Sequence, residues 1–234
     1  TSISTRLHIL HIVIRNLLTQ TARPEKILLW LNQDLKDKIP NSLQSLVGNK
    51  FEIRFSDLDS PHLKLVETLA SYPNKIIVTS DDDLIYPKNW LETLFRDHAK
   101  APKSIIAHKC RVISSDQHGN TLPYKEWPFV TARGASSPQF LALGFGGVLY
   151  PPAIFSPIAL DSNLFLKLAP KADDLWFKAM AVAEDITVQT CESPIKEPCP
   201  IVSSQSVSLK KQNVNNDKNR VQWEALVDHF SIKL

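Results

Sequence analysis

The chain has 234 residues, 43% of them hydrophobic and 22% charged, with a formal net charge of +3. Such values exclude a disordered or fibrous chain and point to one globular domain over residues 1–234. The basic excess is gathered only loosely, between Lys210 and Arg220, which argues against a nucleic-acid groove; no apolar run approaches the ~20 residues that span a bilayer.

In chain order, Leu7, Leu10, Ile14, Leu17 and Leu18 recur at helical spacing, so residues 7–18 are expected as an amphipathic helix capped by Ser4 or Thr5. "KILLWLN" reads as a strand buried on both faces, residues 36–46 as a polar helical stretch and "FEIRFSD" as a strand with outward charges. Residues 63–70 read as a short helix, 75–80 as a further buried strand, and 89–98 as another amphipathic helix. Strands alternating with helices imply right-handed crossovers, an α/β fold and a mostly parallel sheet, which binds ligands beyond the carboxyl ends of its strands. The second half is less regular: "SIIAHKCRVI" reads as a strand, "GFGGVLYPP" as a glycine-rich turn, "ADDLWFKAMAVAED" as a helix, and 221–230 as a last helix after a polar loop. Cys110, Cys191 and Cys199 are odd in number and widely spaced, so reduced thiols in a cytosolic setting are expected, with neither a disulfide framework nor a structural zinc site.

The chemistry concentrates in "IIVTSDDDLIYPKNW", where Asp81, Asp82 and Asp83 follow a buried strand directly. Neighbouring carboxylates repel and resist leaving water, so a divalent cation such as Mg²⁺ or Mn²⁺, held with substrate phosphates, gives them a reason to be there. In extended backbone Asp81 and Asp83 point one way and Asp82 the other, which offers paired metal ligands and one acid for a sugar hydroxyl or a backbone cap. The competing reading is one helix cap and two solvated loop charges. Asp173 and Asp174 open a helix, where the dipole favours anions; they read as caps, or as a base beside Trp176 and Phe177, with an aromatic ring against a sugar face. The glycines of "GFGGVLYPP", Gly146 and Gly147 among them, allow close backbone approach to a ligand or form an ordinary turn, and do not fit the dinucleotide fingerprint. His98 and His108 read as packed or surface histidines, Trp30 and Trp90 as core, and Trp127 as either a cleft wall or a loop staple.

Taken in order, "TSISTRL", "KILLWLN", "IIVTSDDDLIYPKNW", "GFGGVLYPP" and "ADDLWFKAMA" resemble the bacterial GT-A fold glycosyltransferases, close to the large inverting family two, over nearly the whole chain. The resemblance implies a Rossmann-like sheet flanked by helices, a nucleotide-sugar half over 1–113, and an acceptor half with a C-terminal lid over 114–234. It implies that Asp81, Asp82 and Asp83 bind Mn²⁺ or Mg²⁺ and the donor diphosphate, with Asp81 and Asp83 on the metal. Ser2, Ser4, Thr5 and Arg6 would touch the nucleotide, Lys64 would face the nucleotide or its phosphates, and Lys210, Lys211 and Asn213 would close over the donor. Asp174, or its neighbour Asp173, would be the base, since an Asp-Asp pair stands where Glu-Asp is usual; Gly146, Gly147 and Trp176 would meet the acceptor. His229 matches a C-terminal histidine that some such enzymes add to the metal. "TSI" keeps only the end of the opening strand, so upstream residues are expected.

The implied activity is metal-dependent, inverting transfer from a nucleotide sugar, UDP-sugars favoured, to a glycan or glycolipid of the cell surface. The setting would be cytoplasmic, with peripheral contact at the inner membrane face. The alternatives are a nucleotidyltransferase or phosphate-ester hydrolase with the same acidic site, and a non-catalytic carbohydrate-binding domain.

Overall fold

A computed structural model describes residues 1–202 and 217–234. The N-terminal segment forms a 3-10 turn over Ser4–Arg6, and helix α1 starts only at Leu10–Leu18. Leu7 and Ile9, ahead of the helix, are both buried. Ser4 and Thr5 therefore lie outside α1 and do not cap it; the residue before the helix, Ile9, makes no side-chain cap bond. Strand β1 (Ile27–Asn32) pairs in parallel with β2 (Phe51–Ser56) along its full length. Between them the expected polar helix is split into a 3-10 turn, Gln33–Lys38, and a short α2, Asn41–Gln44. Pro40 causes the break, because it disfavours helical backbone at the residue before it.

Helix α3 (Leu63–Ser71) leads to β3 (Ile77–Thr79), then the acidic stretch, β4 (Leu84–Ile85) and α4 (Trp90–Lys100). The next apolar run is broken at His108 and Lys109 into β5 (Ile105–Ala107) and β6 (Cys110–Val112). Short strands β7 (Ser136–Ser137), β8 (Phe140–Ala142) and β9 (Val148–Tyr150) follow, then α5 (Ser162–Leu168), α6 (Asp173–Ala183), β10 (Val188–Thr190), β11 (Cys199–Pro200) and α7 (Lys218–Phe230).

The fold is α/β, but its sheets are small and mixed, which corrects the expectation of one mostly parallel sheet. The largest has the order β3-β9-β5-β10-β7, and only its β5/β10 pair is parallel. The reason is β9: its three residues, all buried, follow a glycine turn and enter antiparallel to both neighbours. The β1/β2 pair is a separate sheet, and an apolar cavity of about 720 Å³ lies between β1 and β3, walled by Leu10, Val13, Leu29 and Ile77. Among the described residues no helix is long and apolar enough to cross a membrane.

The main core packs α6 and α7 against the larger sheet. Trp176 is fully buried, donates its indole N–H to Ala159 O at 3.0 Å and meets Phe165 edge-on. Trp127, also fully buried, donates to Leu122 O at 2.9 Å and meets Trp223, so it staples its loop and lines no cleft. Removing a buried aromatic side chain usually costs about 3–5 kcal/mol. Trp176→Ala is accordingly expected to lower stability by about that amount in urea denaturation; a loss within about 0.5 kcal/mol, as for surface changes, would contradict the packing.

Candidate active site

One cavity of about 510 Å³ brings together the N-terminal turn, the first turn of α3, the loop after β3, the turn at Gly144 and Phe145, and the start of α6. The loop after β3 carries Asp81, Asp82 and Asp83, and the chain turns at Asp82 and Asp83 instead of running extended. That turn overrides the expected alternation, which applies only to extended backbone. The guanidinium of Arg6 holds Asp82 at 2.6 Å and Asp83 at 3.0 Å, and the Ser2 hydroxyl donates to the other oxygen of Asp82 at 2.5 Å. Asp81 faces the opposite cation: the ammonium of Lys64 lies 3.6 Å from it and 2.9 Å from Asp173. Lys64 thus joins two acidic groups that are far apart in sequence.

The fourth member is Asp174, whose two carboxylate oxygens accept the Gly144 N–H at 3.2 and 3.1 Å. Gly144 opens a 3-10 turn, Gly144–Gly146, between β8 and β9. A Cβ on Gly144 would lie 3.0 Å from Lys64 Nζ, 3.1 Å from Asp174 Oδ1 and 3.7 Å from Asp81 Oδ1. Those three groups therefore converge on the bare face of one glycine.

This crowding separates the two acids of α6. Burial would raise both, but the Lys64 ammonium brings Asp173 below the ordinary carboxylate value. Asp174 is pushed up to about 7, first by burial and then by the Asp173 charge, against the opposing pull of Lys64 and the Gly144 N–H. Burial also raises Asp81 and Asp83, against the pull of Lys64 and Arg6 respectively. Lys64 itself, which burial would lower, is held well above its ordinary value by Asp173, Asp81 and Asp174.

Asp81 and Asp83 offer the hard oxygen atoms that Mg²⁺ and Mn²⁺ prefer, and these ions commonly take one or two carboxylates with substrate phosphates completing the shell. Among the described residues no group of three His, Cys, Asp or Glu side chains is arranged to hold a metal by itself. The donor chemistry fits a divalent cation shared with a phosphorylated substrate, provided that Arg6 releases Asp83.

The other expected contacts divide. Ser2, Arg6, Lys64, Asp173 and Asp174 line the cavity with the acidic triplet, whereas Ser4 and Thr5 are exposed and do not. Gly146 abuts Lys109, and Gly147 adopts φ 93° with the Trp90 indole where a side chain would go, so both serve packing. Trp176, sealed in the core, has no surface for an acceptor. His229 is exposed on α7 beside Phe230, outside the cavity. Lys210, Lys211 and Asn213 lie outside the described residues. Gly144 belongs to the glycine run expected to allow close approach to a ligand, and it is this glycine, not Gly146 or Gly147, that faces the acids; Tyr86 stands in the acidic stretch with no local signal of its role.

No protein-family model matches the chain, and no curated protein matches it in sequence.

A carboxyl whose folded value is raised stabilises the folded state least when ionised, so its cost appears as pH rises from the ordinary 3.8 to about 7. Asp174→Asn removes that cost. Its stability relative to wild type is expected to rise between pH 4 and pH 8 by on the order of a few kcal/mol, measured by denaturant unfolding across that range. Parallel pH profiles for the two proteins would contradict the raised value.

Proposed function

We propose that this chain is a metal-dependent, inverting glycosyltransferase of the GT-A type. It moves a sugar from a nucleotide-sugar donor, with UDP-sugars favoured, to a hydroxyl of a surface glycan or glycolipid, and works in the cytoplasm. The observation that carries the reading is the convergence on Gly144 of Lys64, Asp81 and Asp174, which sets an acid titrating near neutrality beside a cation-balanced acidic triplet. A group with a pKa near the working pH is suited to take a proton from an attacking hydroxyl. Asp174 fills that role better than Asp173, which is tied to Lys64 and held in its ionised form.

Arg6 and Lys64 are the cations a diphosphate would recruit, each exchanging a carboxylate for phosphate oxygens. Asp81 and Asp83 would hold the divalent cation, which when bound neutralises charge on the departing nucleoside diphosphate. Asp174 takes the acceptor proton as the hydroxyl attacks the anomeric carbon from the face opposite the leaving group, and one displacement inverts the configuration.

The test has two parts. UDP with Mn²⁺ is expected to raise the melting temperature where neither does alone, and Asp174→Asn should keep that rise while losing about 10²–10⁴-fold in transfer rate. Full transfer by Asp174→Asn, or full activity in strong chelator, would overturn the mechanism.

A further inference from the structure

We infer that Tyr86 is a positioning residue, with Trp90 as its partner, that fixes the acidic triplet relative to Asp174; the inference rests on the transferase reading of this site. The Tyr86 hydroxyl accepts the backbone N–H of Asp81 at 2.9 Å and donates to the carbonyl of Phe145 at 3.2 Å. One oxygen atom therefore joins the loop that carries the carboxylates to the Gly144–Gly146 turn. The same turn, through the Gly144 N–H, orients both oxygens of Asp174. Trp90 makes a second tie, since its indole N–H donates to the Gly146 carbonyl at 2.8 Å.

The two aromatic side chains are themselves fixed. Tyr86 is 1% exposed and Trp90 2%, and their rings pack 4.4 Å apart. The backbone of Tyr86 is held on both sides by Asn16 of α1, whose carbonyl oxygen accepts the Tyr86 N–H at 2.8 Å and whose amide donates to the Tyr86 carbonyl at 2.9 Å. Gly147 completes the fit, because a Cβ there would fall 2.4 Å from the Trp90 indole. Burial holds the Tyr86 phenol well above its ordinary value, so the hydroxyl keeps the proton that it donates to Phe145. Neither ring lines the cavity where Asp81 meets Asp174, although Trp90 borders the adjoining cavity of about 720 Å³, and the bonds of both side chains go to backbone groups of the two loops.

A displacement of about 1 Å between reacting groups can cost on the order of 10²-fold in rate, whereas donor contacts made by side chains left in place change affinity little. Tyr86→Phe keeps the ring and removes only the shared hydroxyl. It is expected to lower kcat about 10- to 100-fold with a donor KM within about 3-fold of wild type. Amide hydrogen exchange should accelerate at Asp81 and Gly144 together. Tyr72→Phe is the control: it deletes a hydroxyl that accepts from Arg54 and bonds neither loop, and should change neither quantity. Trp90→Phe, which loses the tie to Gly146, should show the same split between kcat and KM. Unchanged kcat in Tyr86→Phe, or unchanged exchange at both amides, overturns the inference. If the wild-type chain transfers sugar from no nucleotide sugar, the transferase reading fails, and the exchange measurement alone still decides whether Tyr86 couples the two loops.

Discussion

A single ammonium group, that of Lys64, makes the rest of this site possible. Six carboxylates line one cavity, Asp59 and the five already described, and bringing such groups out of water next to one another is unfavourable unless positive charge comes with them. Lys64 reaches both Asp81 and Asp173, and Arg6 takes Asp82 and Asp83. With two cations so divided, the loop after β3 and the start of α6 can lie against each other. The bareness of Gly144 is the steric half of the same constraint, since a side chain there would stand where Lys64 and Asp174 meet.

The balance is uneven, and on the proposed transferase reading the unevenness has a chemical use. Of two adjacent acids at the head of α6, Asp173 is buried and paired to an ammonium, while Asp174 is half-buried and bonded to a backbone N–H. Their proton affinities are driven in opposite directions. Pairs of titratable groups pushed apart in this way divide labour, one staying charged and the other exchanging a proton. On this account Asp173 keeps Lys64 in place and Asp174 is the group free to react.

Much of this was legible in the sequence, for identifiable reasons. Buried strands and amphipathic helices announce themselves by periodicity, so β1, β2, β3, α3, α4 and α6 fall where the apolar spacing placed them. The acids stand out because three adjacent carboxylates directly after a buried strand repel one another, so a bound cation explains them better than a helix cap with two solvated charges. What the sequence could not show depends on partners distant in the chain. The alternation of Asp81, Asp82 and Asp83 holds only for extended backbone, and the turn at Asp82 and Asp83 is stabilised by Arg6, some seventy-six positions earlier. Strand β9 is three residues long and follows a glycine turn, so nothing local marks it as an inner strand of the five-stranded sheet. Of the glycines in one short run, Gly144 faces the acids while Gly146 and Gly147 face Lys109 and Trp90, and only the path of the chain separates them.

The most direct measurement of the central claim is a double-mutant cycle in unfolding free energy between Lys64→Met and Asp173→Asn. Removing one partner of a buried ion pair commonly costs about 3–5 kcal/mol, because the other charge is left without compensation. The account predicts that Lys64→Met alone falls in that range, that Asp173→Asn in the same background restores part of the loss, and that the coupling is about 1–3 kcal/mol. Single effects that add to within about 0.5 kcal/mol would mean that Lys64 does not hold the two acidic groups together, and would contradict it.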